Sequence, residues 1–183
     1  MEKLFKQLSD VQASLFVLFH KTWIYHWNVT GPDFKQLHDM FGEQYEAMFE
    51  ELDRVTEHMR YLNMKPVSTL TRITEVSYVE QAANSAQGIN AKGMVKDLME
   101  SNQTLLTLLI DTNNTAERLE SLGTTNILGD FIEAHGKFVW MLRSIAETAR
   151  GSGAVEDIAT EQPVAEEFIE TIETTEITET IEE

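Results

Sequence analysis

Apolar residues return along the start of the chain at alternating spacings of four and three: Leu4, Leu8, Val11, Leu15, Leu18, Thr22, then Tyr25 or His26. This is the stripe of an amphipathic helix with one face turned to a core. It stops at Asn28-Val-Thr-Gly-Pro32, where Gly31 and Pro32 break the pattern and Asp33 is placed to help open the next helix. A second stripe, Phe34, Leu37, Phe41, Tyr45, Met48, Leu52, Val55, Met59 and Leu62, ends before Pro66. From Ser68 to Ala86 the pattern loosens, with Ser68-Thr-Leu-Thr-Arg-Ile73 as one short helix on a connection too long for a tight turn. A third long helix is predicted over Ala91 to Leu122, with Gly123 as its C-terminal cap. Its inward positions are Met94, Leu98, Leu105, Leu108 or Leu109, and Leu119. Ile127, Phe131, His135, Phe138, Met141 or Leu142, and Ile145 mark a fourth over Asn126 to Ala149, closed by Gly151-Ser-Gly153. The fold class that follows is an all-α four-helix bundle with a short crossover helix between helices 2 and 3.

At 183 residues and 42% hydrophobic content the chain is long enough for one domain with a real core. The helical pattern assigns that domain to residues 1–150. Residues 151–183 are different in kind: they hold eleven of the 31 acids and no Lys or Arg, in a repetitive run that ends Thr-Glu-Thr-Ile-Glu-Glu. Like charges at this density with few large apolar groups predict a solvated, disordered acidic tail. The formal charge of −17 therefore overstates the domain, where twenty acids against fourteen bases leave −6. DNA would be repelled by the tail and finds no basic arm at the N-terminus, which offers only Lys3 and Lys6, so direct DNA binding is disfavoured. No basic start with a long apolar run and cleavage site opens the chain, and no stretch reaches the length of a membrane helix, so a soluble cytoplasmic protein is expected. There are no cysteines, which removes disulfides, thiolate metal sites and Cys nucleophiles. Any metal must be held by His, Asp or Glu.

Two of the five histidines, His26 and His38, flank the first turn, and Asp53 and Glu57 lie four apart on one face of the second helix. The plain alternative for the acids is a solvated face interleaved with Arg54 and Arg60. As ligands, two imidazoles and two carboxylates suit a divalent cation. His38 and Asp53 are fifteen residues apart on one helix, roughly 22 Å along its axis, whereas metal–ligand bonds are about 2 Å. No single straight helix puts both on one ion. A second copy packed antiparallel across a two-fold axis does, with the axis near Tyr45 and Glu46 and two equal sites. Intrachain di-iron bundles use Glu-x-x-His pairs, and none of the histidines here has Glu three residues before it.

His26-Trp-Asn-Val-Thr-Gly-Pro-Asp-Phe-Lys-Gln-Leu-His38, followed by Asp53-Arg-Val-Thr-Glu57, resembles the signature of the Dps family of ferritin-like miniferritins. The likeness continues through Ser68-Thr-Leu70 and His135-Gly-Lys-Phe-Val-Trp-Met-Leu142, spanning roughly residues 1–150. It implies a homo-oligomer, a hollow twelve-subunit shell built from two-fold dimers. It also implies ferroxidase sites between subunits and hydrogen peroxide as oxidant of Fe(II) to Fe(III), with His26 and His38 from one subunit and Asp53 and Glu57 from its mate. Trp27 stands where the family keeps a tryptophan beside the site, either as packing or as a trap for stray oxidising equivalents. Three departures stand out. Gly42 replaces a further acidic ligand, which puts the second iron in question; Asn126 replaces a pore acid; Gly136 replaces a Glu after the fourth-helix histidine. Glu117, Glu120 and Asp130 are the remaining candidates for a negative pore, or lie on an exposed helix face. The other function class open to such a chain is a cage-forming structural or DNA-associated protein with impaired ferroxidase activity.

Overall fold

A computed structural model describes residues 1–82 and 88–148. Every regular element in it is helical: α1 (Glu2–Asn28), α2 (Phe34–Tyr61), α3 (Leu70–Val76), α4 (Ala91–Arg118) and α5 (Leu122–Thr148). α1 pairs with α2 and α4 with α5; α1 also packs on α4, and the short α3 lies on α1. This is the four-helix bundle with a crossover helix that the periodicity predicts. The expected disordered tail, 151–183, and the glycines expected to close the last helix lie outside the described residues. No helix among the described residues is long and apolar enough to cross a membrane.

The stripes are the core. Leu4, Leu8, Val11, Leu15 and Leu18 of α1 join Phe41, Met48, Val55 and Met59 of α2 and Met94, Leu98 and Leu105 of α4, all buried. Burial of each such side chain stabilises by about 1.5–3 kcal/mol, and it is this packing, more than propensity, that holds long helices. The crossover is clipped down by polar groups: Gln12 Nε2 donates to the Val67 carbonyl at 3.1 Å and Gln12 Oε1 accepts the Val67 N–H at 2.9 Å. Ser14 Oγ accepts the Tyr78 N–H at 2.9 Å.

The helix ends depart from expectation in one place. α4 stops at Arg118 and α5 begins at Leu122, so Gly123 sits in the first turn of α5 and caps nothing. The reversal is made by Glu120, at φ +53°, with the Ser121 N–H returning to the Ala116 carbonyl at 2.9 Å. The Ser121 carbonyl then accepts the Thr125 N–H at 3.0 Å, which puts serine at the N-cap position it favours. Leu119, expected in the core, is 41% exposed as a result, and Phe34 at the start of α2 is 43% exposed. Asp33 does stand at the α2 N-cap, but its carboxylate makes no capping bond.

Candidate metal centre

The turn between α1 and α2 is short because Gly31 takes φ +113°, a region favouring glycine, while Val29 is buried beside it. That reversal lays the last turn of α1 beside the second turn of α2. His26 and His38 meet there, rings stacked with centroids 3.8 Å apart. Each holds the other through the main chain: His26 Nδ1–H donates to the His38 carbonyl at 2.7 Å, and His38 Nδ1–H to the His26 carbonyl at 2.9 Å. A carbonyl only accepts, so in both neutral rings Nδ1 carries the proton and Nε2 keeps its lone pair. Backbone carbonyls orient metal-binding histidines in this way. Both rings are only half-buried.

Asp53 and Glu57 are exposed on the far half of α2, and neither makes a hydrogen bond or ion pair with a described residue. The arginines that might have neutralised them are engaged elsewhere. Arg54 pairs with Asp130 of α5 at 2.6 Å and sits over the Phe131 ring, and Arg60 donates to the Met64 carbonyl at 2.7 Å. The two carboxylates thus have no ion-pair partner among the described residues. The structure brings His26 to His38 and keeps Asp53 beside Glu57, but it does not join the pairs. Among the described residues no three His, Asp or Glu of one chain gather where they could hold a metal ion.

Between the pairs lies an aromatic surface. Trp23 contacts Trp27 at 4.5 Å, Phe19 at 5.7 Å and Tyr45 at 6.1 Å, and Phe19 contacts Phe49 at 5.9 Å. Trp27 and Phe49 are 57% and 56% exposed, so Trp27 is not packed away as a core residue. Phe19, Trp23, Tyr45 and Phe49 line an open trough edged by Glu46 and Glu50.

Of the pore candidates, Asp130 is compensated by Arg54, Glu117 accepts from Asn113 Nδ2 at 2.8 Å, and Glu120 serves the α4–α5 turn.

Two polar clusters escaped the sequence reading. His135, read there as one more inward position on α5, is fully buried with Nε2 3.0 Å from Glu51 Oε2 and Nδ1 2.7 Å from Asn102 Oδ1. Asn102 Nδ2 donates to the Leu98 carbonyl, which fixes Oδ1 as the acceptor facing the ring. Lys21, also buried, donates to Asp97 and Ser101 at 2.9 Å each, and Tyr25 OH donates to Asp97 at 2.5 Å. Burial, reinforced by that carboxylate, pushes the Tyr25 hydroxyl above its ordinary range. The signal was available: a polar residue on an inward stripe position demands a partner. His58, next to Glu57, instead hydrogen-bonds Thr124 Oγ1 at 2.9 Å, and burial, with Arg54 nearby, lowers its pKa.

A family model described as a ferritin-like domain matches residues 5–152. A low temperature-induced protein of Nostoc sp. is 31% identical over 76% of this chain and 78% of its own length. DNA protection during starvation protein 2 of Bacillus anthracis is 32% identical over 79% of this chain and 94% of its own. Among solved structures, the fold superposes on a Dps protein of Vibrio cholerae O1 with a TM-score of 0.74 at 26% identity, covering 79% of this chain and 89% of that one. That protein is described as a member of a broad superfamily of ferritin-like diiron-carboxylate proteins.

Proposed function

The chain belongs to the ferritin-like family and, within it, to the Dps proteins; from that premise we propose that it is a miniferritin that oxidises Fe(II) between paired subunits and stores the ferric product in a closed dodecameric shell. Membership brings iron storage with it. The finer reading rests on one observation: two histidines with free Nε2 atoms and two unneutralised carboxylates sit on the same chain, out of each other's reach, with an exposed aromatic surface between them.

A second copy, antiparallel across that surface, brings its Asp53 and Glu57 to His26 and His38, and the reverse holds at the other end. Burying Phe19, Trp23, Tyr45 and Phe49 against their counterparts supplies the association energy, at roughly 25 cal/mol per Å² of apolar surface removed from water. Each site then offers two imidazole nitrogens and two carboxylates to ferrous iron, and the hard oxygens hold it more firmly once ferric. Two Fe(II), or one held at the site and a second recruited with the peroxide, supply one electron each; the O–O bond of hydrogen peroxide takes both and leaves as two hydroxides, so no hydroxyl radical is released. Exposed Trp27 is placed to give up an electron to any oxidant that escapes this pairing.

Complementation tests the shared site. Chains carrying His38→Ala and chains carrying Asp53→Ala should each lose iron oxidation. Co-assembled, they should recover about one quarter of the wild-type rate for random pairing, because a mixed dimer has one doubly altered site and one intact site. No recovery in correctly paired mixed dimers would sink the reading.

A further inference from the structure

Phe34 opens α2 on its apolar stripe, yet it is 43% exposed, whereas Leu37, Phe41 and Met48 further along that stripe are buried. Packing of the core gives no reason for a large ring at this place. What the ring does meet is His38, one turn on, with centroids 5.2 Å apart and planes tilted by 33°. Residues four apart share a helix face, and rings at such a separation attract one another. His38 therefore carries two ring contacts, Phe34 from its own helix and His26 from α1 at 3.8 Å. His26 in turn meets Tyr45, edge to face at 5.2 Å. The four rings form one file, with the two imidazoles in the middle and a carbocyclic ring at either end.

The two ends of the file differ. Tyr45 belongs to the aromatic trough, and Phe34 stands outside its lining. His38 is half-buried, and apart from the rings its orientation rests on one bond, Nδ1–H to the His26 carbonyl at 2.9 Å. A neutral hydrogen bond that water can reach is a weak constraint by itself. Resting on the shared site proposed above, we propose that Phe34 is a positioning residue: its ring holds the His38 imidazole in the stack, with Nε2 free, before any metal arrives. An imidazole already held loses little freedom when it binds, and that saving appears as affinity. The exposure of Phe34 follows from this role, since a ring turned into the core could not lie against His38.

Cobalt(II), titrated without oxidant into the full-length assembled protein and followed by calorimetry and visible absorption, tests this apart from turnover. Phe34→Leu keeps the apolar bulk and removes the ring, so it should assemble as the wild type does in sedimentation. It should bind Co(II) about fivefold more weakly and with altered bands, the loss of one ring contact. Phe34→Tyr keeps the ring and should bind with wild-type affinity and spectrum, a rescue that a merely space-filling role would not require. In a crystal of the metal-free Phe34→Leu protein the His38 ring should have left its 3.8 Å stack on His26. Wild-type affinity in Phe34→Leu, an equal loss in Phe34→Tyr, or a His38 ring still stacked in the Phe34→Leu crystal overturns the proposal. Absence of Co(II) binding by the wild type, or binding indifferent to His38→Ala, overturns instead the shared site on which it rests.

Discussion

His135 sits between a carboxylate and an amide oxygen in the middle of the bundle, a costly place for polar atoms unless all of them are partnered. Removing one partner strands the others. His135→Ala should therefore destabilise the fold by about 3 kcal/mol, and Glu51→Ala by a similar amount, read from urea unfolding midpoints. Replacing Glu51 and His135 together with apolar residues of matching volume should restore most of that loss. If the double variant is as unstable as the sum of the singles, the two side chains do not act as a pair. At this scale the sequence was legible in kind. His26, His38, Asp53 and Glu57 were named from spacing, and the structure adds which nitrogen of each imidazole is free, because that depends on main-chain carbonyls twelve residues away. Asn102 and Lys21 were missed, since a buried polar residue looks like a break in a stripe until its partner on another helix is seen.

α2 carries His38, Asp53 and Glu57 of the proposed site, and its second half is fastened to α5 by a series of contacts: Glu51 to His135, Arg54 to Asp130 and Phe131, His58 to Thr124. These hold the helix that presents Asp53 and Glu57 while leaving those two carboxylates outward. The α4–α5 turn is where the element reading slipped. Gly123 looked like a cap because glycine commonly ends a helix, but the left-handed residue is Glu120. A non-glycine residue in that region carries a strain of roughly 1–2 kcal/mol. Glu120→Gly should raise thermal stability by about 1 kcal/mol, while Gly123→Ala, inside α5, should be neutral or stabilising; a loss of melting temperature in Glu120→Gly would contradict this account of the turn.

At the scale of the whole molecule the exposed aromatics on α1 and α2 have no explanation within one chain. Phe49→Asp should disrupt pairing, seen as a shift to monomer in sedimentation analysis, and should abolish iron oxidation although it touches no ligand. Oxidation by that monomer would refute the shared site. Acidic composition bears on partners: a gel-shift at low salt should show no retardation of DNA by the assembled protein, and retardation would overturn the charge-based expectation. What the sequence determined by itself was everything that local periodicity and covalent spacing dictate. That includes four long helices, their inward faces, and the fact that ligands about 22 Å apart on one rod cannot share an ion. What only the tertiary structure decided were relations between side chains and their neighbours: that the two imidazoles stack and hold each other, and that Arg54 and Arg60 are engaged away from Asp53 and Glu57. The division has one physical reason. Periodicity along a chain records which side of a helix faces inward, but not which atom of a neighbouring helix will be found there.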